Sequence, residues 1–159
     1  MMSHLHTQYL QQAIELACKS VNTRKGGPYG AVIVKDGKII AASGNCVTVN
    51  NDPTAHAEIM AIRQACTALN TFQLKNCTLY SSCEPCPMCL GAIYWARLKN
   101  VYFACNRDNA AKAGFDDSFI YDEIRVDTEK RHIPMHHLSL TNAEQPFLEW
   151  NRQKTKILY

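Results

Sequence analysis

Thr54-Ala55-His56-Ala57-Glu58 and Cys83-Glu84-Pro85-Cys86-Pro87-Met88-Cys89 are the two stretches on which the reading of this chain turns. Together they hold a His, a Glu and a Pro-Cys-x-x-Cys. His56, Cys86 and Cys89 make three protein ligands for zinc, one short of a closed structural tetrahedron, and three ligands leave an open position for water. Glu58, two residues from the His, is a carboxylate placed to move the protons of such a water. Cys86 and Cys89 are three apart, so on a helix they share a face. Pro85 just before them marks a helix start, where the positive end of the dipole favours thiolates. His56 also stands at the start of a helical pattern, so two helix N-termini are expected to converge on one ion.

On either side of these motifs the chain alternates between helical and extended patterns. Leu10, Ala13, Ile14, Ala17, Cys18 and Val21 recur at helical spacing and predict an amphipathic first helix. Gly26-Gly27-Pro28 ends it in a loop. Residues 30–35 and 38–42 are apolar and β-rich and flank Asp36-Gly37, a strong hairpin signal. Residues 54–69 predict a second helix that carries His56 and Glu58 in its first turn. Residues 77–82 predict a short buried strand, Pro85 opens a third helix to about residue 98, and 101–105 predict another strand. Residues 106–128 read as a mixed connection with room for short helices. A last strand is expected over 133–140, before a C-terminal helix capped by Thr141 with Glu144 three residues on. This alternation predicts an α/β fold, with a mixed central sheet of about five strands and helices on both faces. No repeat, low-complexity tract or linker interrupts it, so 1–159 reads as a single domain.

Composition sets the outer bounds. The 159 residues are 47% hydrophobic and 19% charged, an ordinary globular balance, and a chain of this length buries roughly 68–70% of its unfolded surface. The net charge of +3 is too mild to announce a nucleic-acid binder. Lys130, Arg131, Arg152, Lys154 and Lys156 read as a solvated basic face. Met1-Met2-Ser3-His4-Leu5-His6 lacks the basic region and apolar run of a signal peptide, and no apolar stretch reaches the ~18 residues of a membrane span. Eight cysteines without a secretion signal then point to the reduced cytoplasm. Cys83-Glu84-Pro85-Cys86 is itself a C-x-x-C, open to reading as a redox pair or a four-ligand structural site, but either leaves Glu58 without a role. Cys18, Cys46, Cys66, Cys77 and Cys105 read as packing residues. His132, His136 and His137 suggest a second metal site, yet adjacent residues of a strand point to opposite faces, which argues against chelation.

H-x-E followed by P-C-x-x-C is a known signature of zinc nucleobase deaminases. Further blocks extend the likeness: Gly26-Gly27-Pro28-Tyr29-Gly30-Ala31, Asn51-Asp52-Pro53-Thr54, Leu90-Gly91-Ala92-Ile93-Tyr94-Trp95-Ala96-Arg97 and Ala113-Gly114-Phe115-Asp116-Asp117-Ser118-Phe119-Ile120-Tyr121. With these in order over most of its length, the chain resembles the cytidine/deoxycytidylate deaminase superfamily, and most closely its bacterial guanine deaminase branch. The resemblance implies a three-layer α/β/α sandwich, one Zn2+ per chain and hydrolytic deamination of guanine to xanthine and ammonia. It implies that Glu58 is the proton carrier, that Asn45 hydrogen-bonds the purine and that the Ala57 backbone N–H holds a ring atom or carbonyl. Asp117 occupies the position of the branch's second acidic residue. Guanine presents two donors there, N1–H and its 2-amino group, and a carboxylate only accepts, whereas adenine and cytosine present an acceptor. A helix N-cap is the plainer role for Asp116 or Asp117. Tyr29, where the branch often has Phe, and Trp95 are candidates to stack on a flat ring, although Trp95 reads equally well as core.

The branch also implies a homodimer in which the C-terminal tail, about 141–159, is an active-site lid exchanged with the partner and ending in a Tyr, here Tyr159. The expected partners are a small purine and a second copy of the chain, with neither membrane nor nucleic acid. Rival readings are a tRNA adenosine deaminase or a guanosine or cytosine deaminase of the same fold, and, in another class, a non-catalytic zinc-stabilised binding module.

Overall fold

The helical periodicity near the N-terminus becomes α1 (Met2–Asn22) in the computed structural model, which describes residues 2–159; Met1, with which the N-terminal reading begins, lies outside them. There follow strands β1 (Gly30–Lys35) and β2 (Lys38–Gly44), a short helix α2 (Val47–Asn50), α3 (Ala57–Ala68), β3 (Cys77–Cys83), α4 (Pro87–Trp95), β4 (Asn100–Cys105) and α5 (Arg107–Lys112). The hairpin forms where Asp36-Gly37 predicts it. Both residues take positive φ, 49° and 74°, as the tight primed turn between two twisted strands requires.

The sheet runs in the order β2-β1-β3-β4, with β1 antiparallel to β2 and β3, and β3 parallel to β4. It is mixed, as expected, but has four strands where about five were expected. Residues 133–140 form no strand, and Pro134 within them has no N–H to give a ladder. His132, His136 and His137 are exposed there. Side chains alternate across the sheet and divide the core in two. Ala31, Ile33 and Leu79 pack with Ala57, Ala61 and Ala65 of α3 and Ile93 of α4. Val32, Val34 and Tyr80 pack on the other face with Ala13 of α1. The result is the expected α/β/α sandwich. At Gly30 α1 comes so close that a Cβ would run into the Ala13 carbonyl.

Two of the expected packing cysteines are not packed: Cys18, one position round the helix from buried Ala17, and Cys105, ending the edge strand, are both exposed. The chain divides into two compact units, one ending at Asp117 and the other comprising Ser118–Tyr159. The second holds α6 (Ser118–Arg125), a 3-10 turn (Thr128–Lys130) and α7 (Gln145–Arg152), and none of its residues is buried. Helix α7 starts later than a Thr141 cap predicts. Glu144 is its N-cap without a side-chain bond, and Pro146, with φ already helical, sets the first turn. Among the described residues no helix is long and apolar enough to cross a membrane.

Candidate active site and metal centre

Strand register brings one set of chain ends together. Gly30 pairs with Gly44, and Cys83 with Cys105, so the amino end of β1 and the carboxyl ends of β2, β3 and β4 share one edge of the sheet. Outside the carboxyl ends of strands is where α/β sheets build their crevices. Here a cavity of about 580 Å³ is lined by residues from each of those ends, among them Tyr29, Asn45, Glu84 and Arg107. His56, Glu58 and Cys86 line it too, as do Phe115 and Asp117.

The helices that supply the metal-binding residues begin slightly later than expected, with His56 and Cys86 as N-cap residues of α3 and α4. The convergence of two N-termini stands. His56 Nδ1 lies 3.5 Å from both Cys86 Sγ and Cys89 Sγ, and all three donor atoms lie within 4.8 Å of one another. For Zn–S of 2.3 Å and Zn–N of about 2.1 Å, a tetrahedral N···S edge is about 3.6 Å. The donor set therefore fits zinc in chemistry and in spacing. The Cys86 thiol is held down at about 4, first by the Cys89 thiol and then by His56, while Cys89 is pushed up by its hydrogen bond to Cys86 and by burial. A divalent metal held by this trio would displace the remaining thiol proton. Cys83 stays outside the trio: burial pushes its thiol up to about 11, and it donates to the Asn106 carbonyl.

Glu58, in the first turn of α3, is 3% exposed, and its burial raises its carboxyl above the usual carboxylate range. Its Oε2 lies 3.5 Å from Cys89 Sγ and its Oε1 3.2 Å from the Ser81 hydroxyl. Asn45, buried just after β2, accepts with Oδ1 from the N–H groups of Gly27 and Val47. That carbonyl is committed, so what Asn45 offers a ligand is its NH2. Gly26 must be glycine for this packing, since a Cβ there would meet Asn45. Tyr29 is half-buried and meets Phe115 edge-on at 5.3 Å. Asp117 is raised above the usual carboxylate range, first by burial and then by the charge of Cys86.

Trp95, Ala57 and Tyr159 are the remaining expected site residues. Trp95, at the end of α4, is 64% exposed and is not among the lining residues. The Ala57 side chain packs wholly into the core, and its backbone N–H lies in the first helical turn, where such groups lack intrahelical partners. Tyr159 belongs to the second unit, where its ring meets Trp150 edge-on. Sequence reasoning missed Ser81, Phe115 and Arg107. The first had a visible signal, a lone hydroxyl in the alternating row Cys77, Leu79, Ser81, Cys83.

Residues 3–105 match the family described as the cytidine and deoxycytidylate deaminase zinc-binding region. Over 154 residues, 97% of this chain and 99% of the relative, the sequence is 56% identical to the guanine deaminase of Bacillus subtilis (strain 168). The X-ray structure of guanine deaminase from Bacillus subtilis superposes with a TM-score of 0.95, covering 97% of this chain and 98% of that one at 56% identity. The tRNA-specific adenosine deaminase of Agrobacterium fabrum is 44% identical over 97 residues, 61% of this chain and 63% of that protein.

Proposed function

The chain belongs to the cytidine and deoxycytidylate deaminase family, and from that premise we propose that it hydrolyses guanine to xanthine and ammonia. The observation that carries the substrate is Asp117 on the wall of the same cavity as Glu58 and as His56 and Cys86 of the metal trio. An acceptor-only group there suits the N1–H and 2-amino donors of guanine, and the Asn45 NH2 suits its O6 and N7 acceptors. The likeness to guanine deaminase across 97% of the chain supports the same substrate, whereas the likeness to the tRNA enzyme spans only 61%.

His56, Cys86 and Cys89 would hold one zinc, which supplies Lewis acidity and lowers the pKa of a coordinated water to about 7. Glu58 takes a proton from the attacking water as its oxygen adds to C2 of guanine, and delivers that proton to N3. The proton of the new C2 hydroxyl then passes to the 2-amino group, which Asp117 holds by accepting from it, and the group leaves as ammonia as C2 re-forms its carbonyl. Tyr29 lies against the flat ring. In this reading the enzyme is a cytoplasmic homodimer whose C-terminal tail, ending in Tyr159, closes the partner's site. That closure is supported by the family resemblance and by the exposed apolar triplet Ile157-Leu158-Tyr159. It would exclude water and strengthen every electrostatic contact inside.

Ammonia release from guanine, guanosine, cytosine, adenine and a tRNA anticodon stem tests the reading, with guanine expected to be turned over fastest. Preference for the anticodon stem, or no turnover by zinc-loaded protein, would overturn it. In the same assay Asp117→Asn is expected to lower kcat/KM for guanine by about 10- to 100-fold, the worth of a charge-assisted hydrogen bond. An unchanged value would return Asp117 to the status of a helix cap.

A further inference from the structure

On β3 the residues that alternate toward α3 and α4 are Cys77, Leu79, Ser81 and Cys83, and the first two sit in the apolar cluster on that face. Ser81 interrupts this row with a hydroxyl that is 1% exposed. A hydroxyl in such a place is costly unless it is hydrogen-bonded. Its partner is Oε1 of Glu58, 3.2 Å away across a sequence separation of 23 residues. The other carboxyl oxygen, Oε2, faces Cys89 of the metal trio. Ser81 is not among the residues lining the cavity, so it does not reach a substrate itself.

We propose that Ser81 is a positioning residue for Glu58. The last torsion of a Glu side chain is broad and roughly two-fold, so packing alone fixes the carboxyl plane poorly. The Ser81 hydroxyl donates to Oε1 from β3 and fixes the position of that oxygen. Oε2 is thereby kept beside Cys89 of the metal trio, where a proton is to be taken up and delivered. An Ala at position 81 would continue the apolar row and leave the carboxyl free to turn.

The inference rests on the deaminase reading, and the experiment separates the two. Wild type, Ser81→Ala, Ser81→Val and Ser81→Thr are compared for guanine kcat and KM, zinc content and Tm. Val and Thr have nearly the same shape and differ by the hydroxyl. The expected result is that Ser81→Ala and Ser81→Val keep about one zinc per chain and a KM within about threefold, while kcat falls by about 10- to 100-fold. Ser81→Thr is expected to recover most of kcat. A Ser81→Ala enzyme with wild-type kcat, a Ser81→Thr enzyme as slow as Ser81→Val, or an effect on KM alone would overturn the positioning role. Zinc-loaded wild type inert toward guanine would instead overturn the deaminase reading, and this inference with it.

Discussion

As the proposed proton carrier, Glu58 would exchange protons from inside a core, and its surroundings decide whether it can. It is 3% exposed, burial favours its neutral form, and a cavity opens beside it. Glu58→Gln preserves the shape and the bond to Ser81 but cannot accept a proton. This variant is expected to keep zinc and bind guanine while turnover falls about 10²- to 10⁴-fold, the usual worth of a general acid–base. Turnover within a few-fold of wild type, in a stopped assay of ammonia, would sink the mechanism. The metal ligands divide in the same way. His56→Ala or Cys86→Ala is expected to lose the zinc, and Cys83→Ala to retain both metal and activity, since Cys83 is a buried neutral thiol outside the trio. Elemental analysis of the purified variants checks this, and a zinc-free Cys83→Ala protein would refute the ligand assignment.

At the scale of elements, what could be read from sequence was what is decided locally. Asp36-Gly37 takes positive φ at both residues whatever surrounds it, so the hairpin was legible. The spacing of Cys86 and Cys89 likewise carries its own meaning on a helix. A strand needs a partner from elsewhere, and the apolar residues of 133–140 have none, so the fifth strand was expected and does not form. Trp95 read as a stacking residue or as core alike, because its position on α4 relative to the cavity depends on how the helix lies on the sheet. The bond from Ser81 to Glu58 was equally hidden, because it joins two elements that only the fold brings together. Gly30 shows the same dependence on packing. Added volume there would press β1 away from the α1 backbone. Gly30→Ala is expected to lower unfolding stability by about 1–3 kcal/mol, the common cost of overpacking. Chemical denaturation gives the value directly, and an unchanged midpoint would mean that α1 shifts without cost.

For the whole molecule the open question is what the last residues do. Ile157, Leu158 and Tyr159 are each about two-thirds exposed or more, and the Tyr159 ring meets the Trp150 ring edge-on. Chain ends commonly fray, and a tail of no consequence would be expected to be polar. Three consecutive apolar residues instead fit a segment that finds a surface to cover, and the proposed lid supplies one. Deleting 157–159 is then expected to leave a folded, zinc-loaded protein with sharply reduced guanine deamination. The exchange of tails between subunits makes a stronger demand. In a mixture of truncated chains and Glu58→Gln chains, each species alone is nearly inactive, one for want of a lid and the other for want of a proton carrier. A heterodimer with exchanged tails places the intact tail of the Glu58→Gln chain over the intact site of the truncated chain, so part of the activity should return on mixing. With tails that close their own subunit, no such pairing restores a complete site, and mixing should change nothing. Guanine turnover measured before and after co-refolding distinguishes the two arrangements, and a truncated enzyme as fast as the full chain would dispose of the lid altogether.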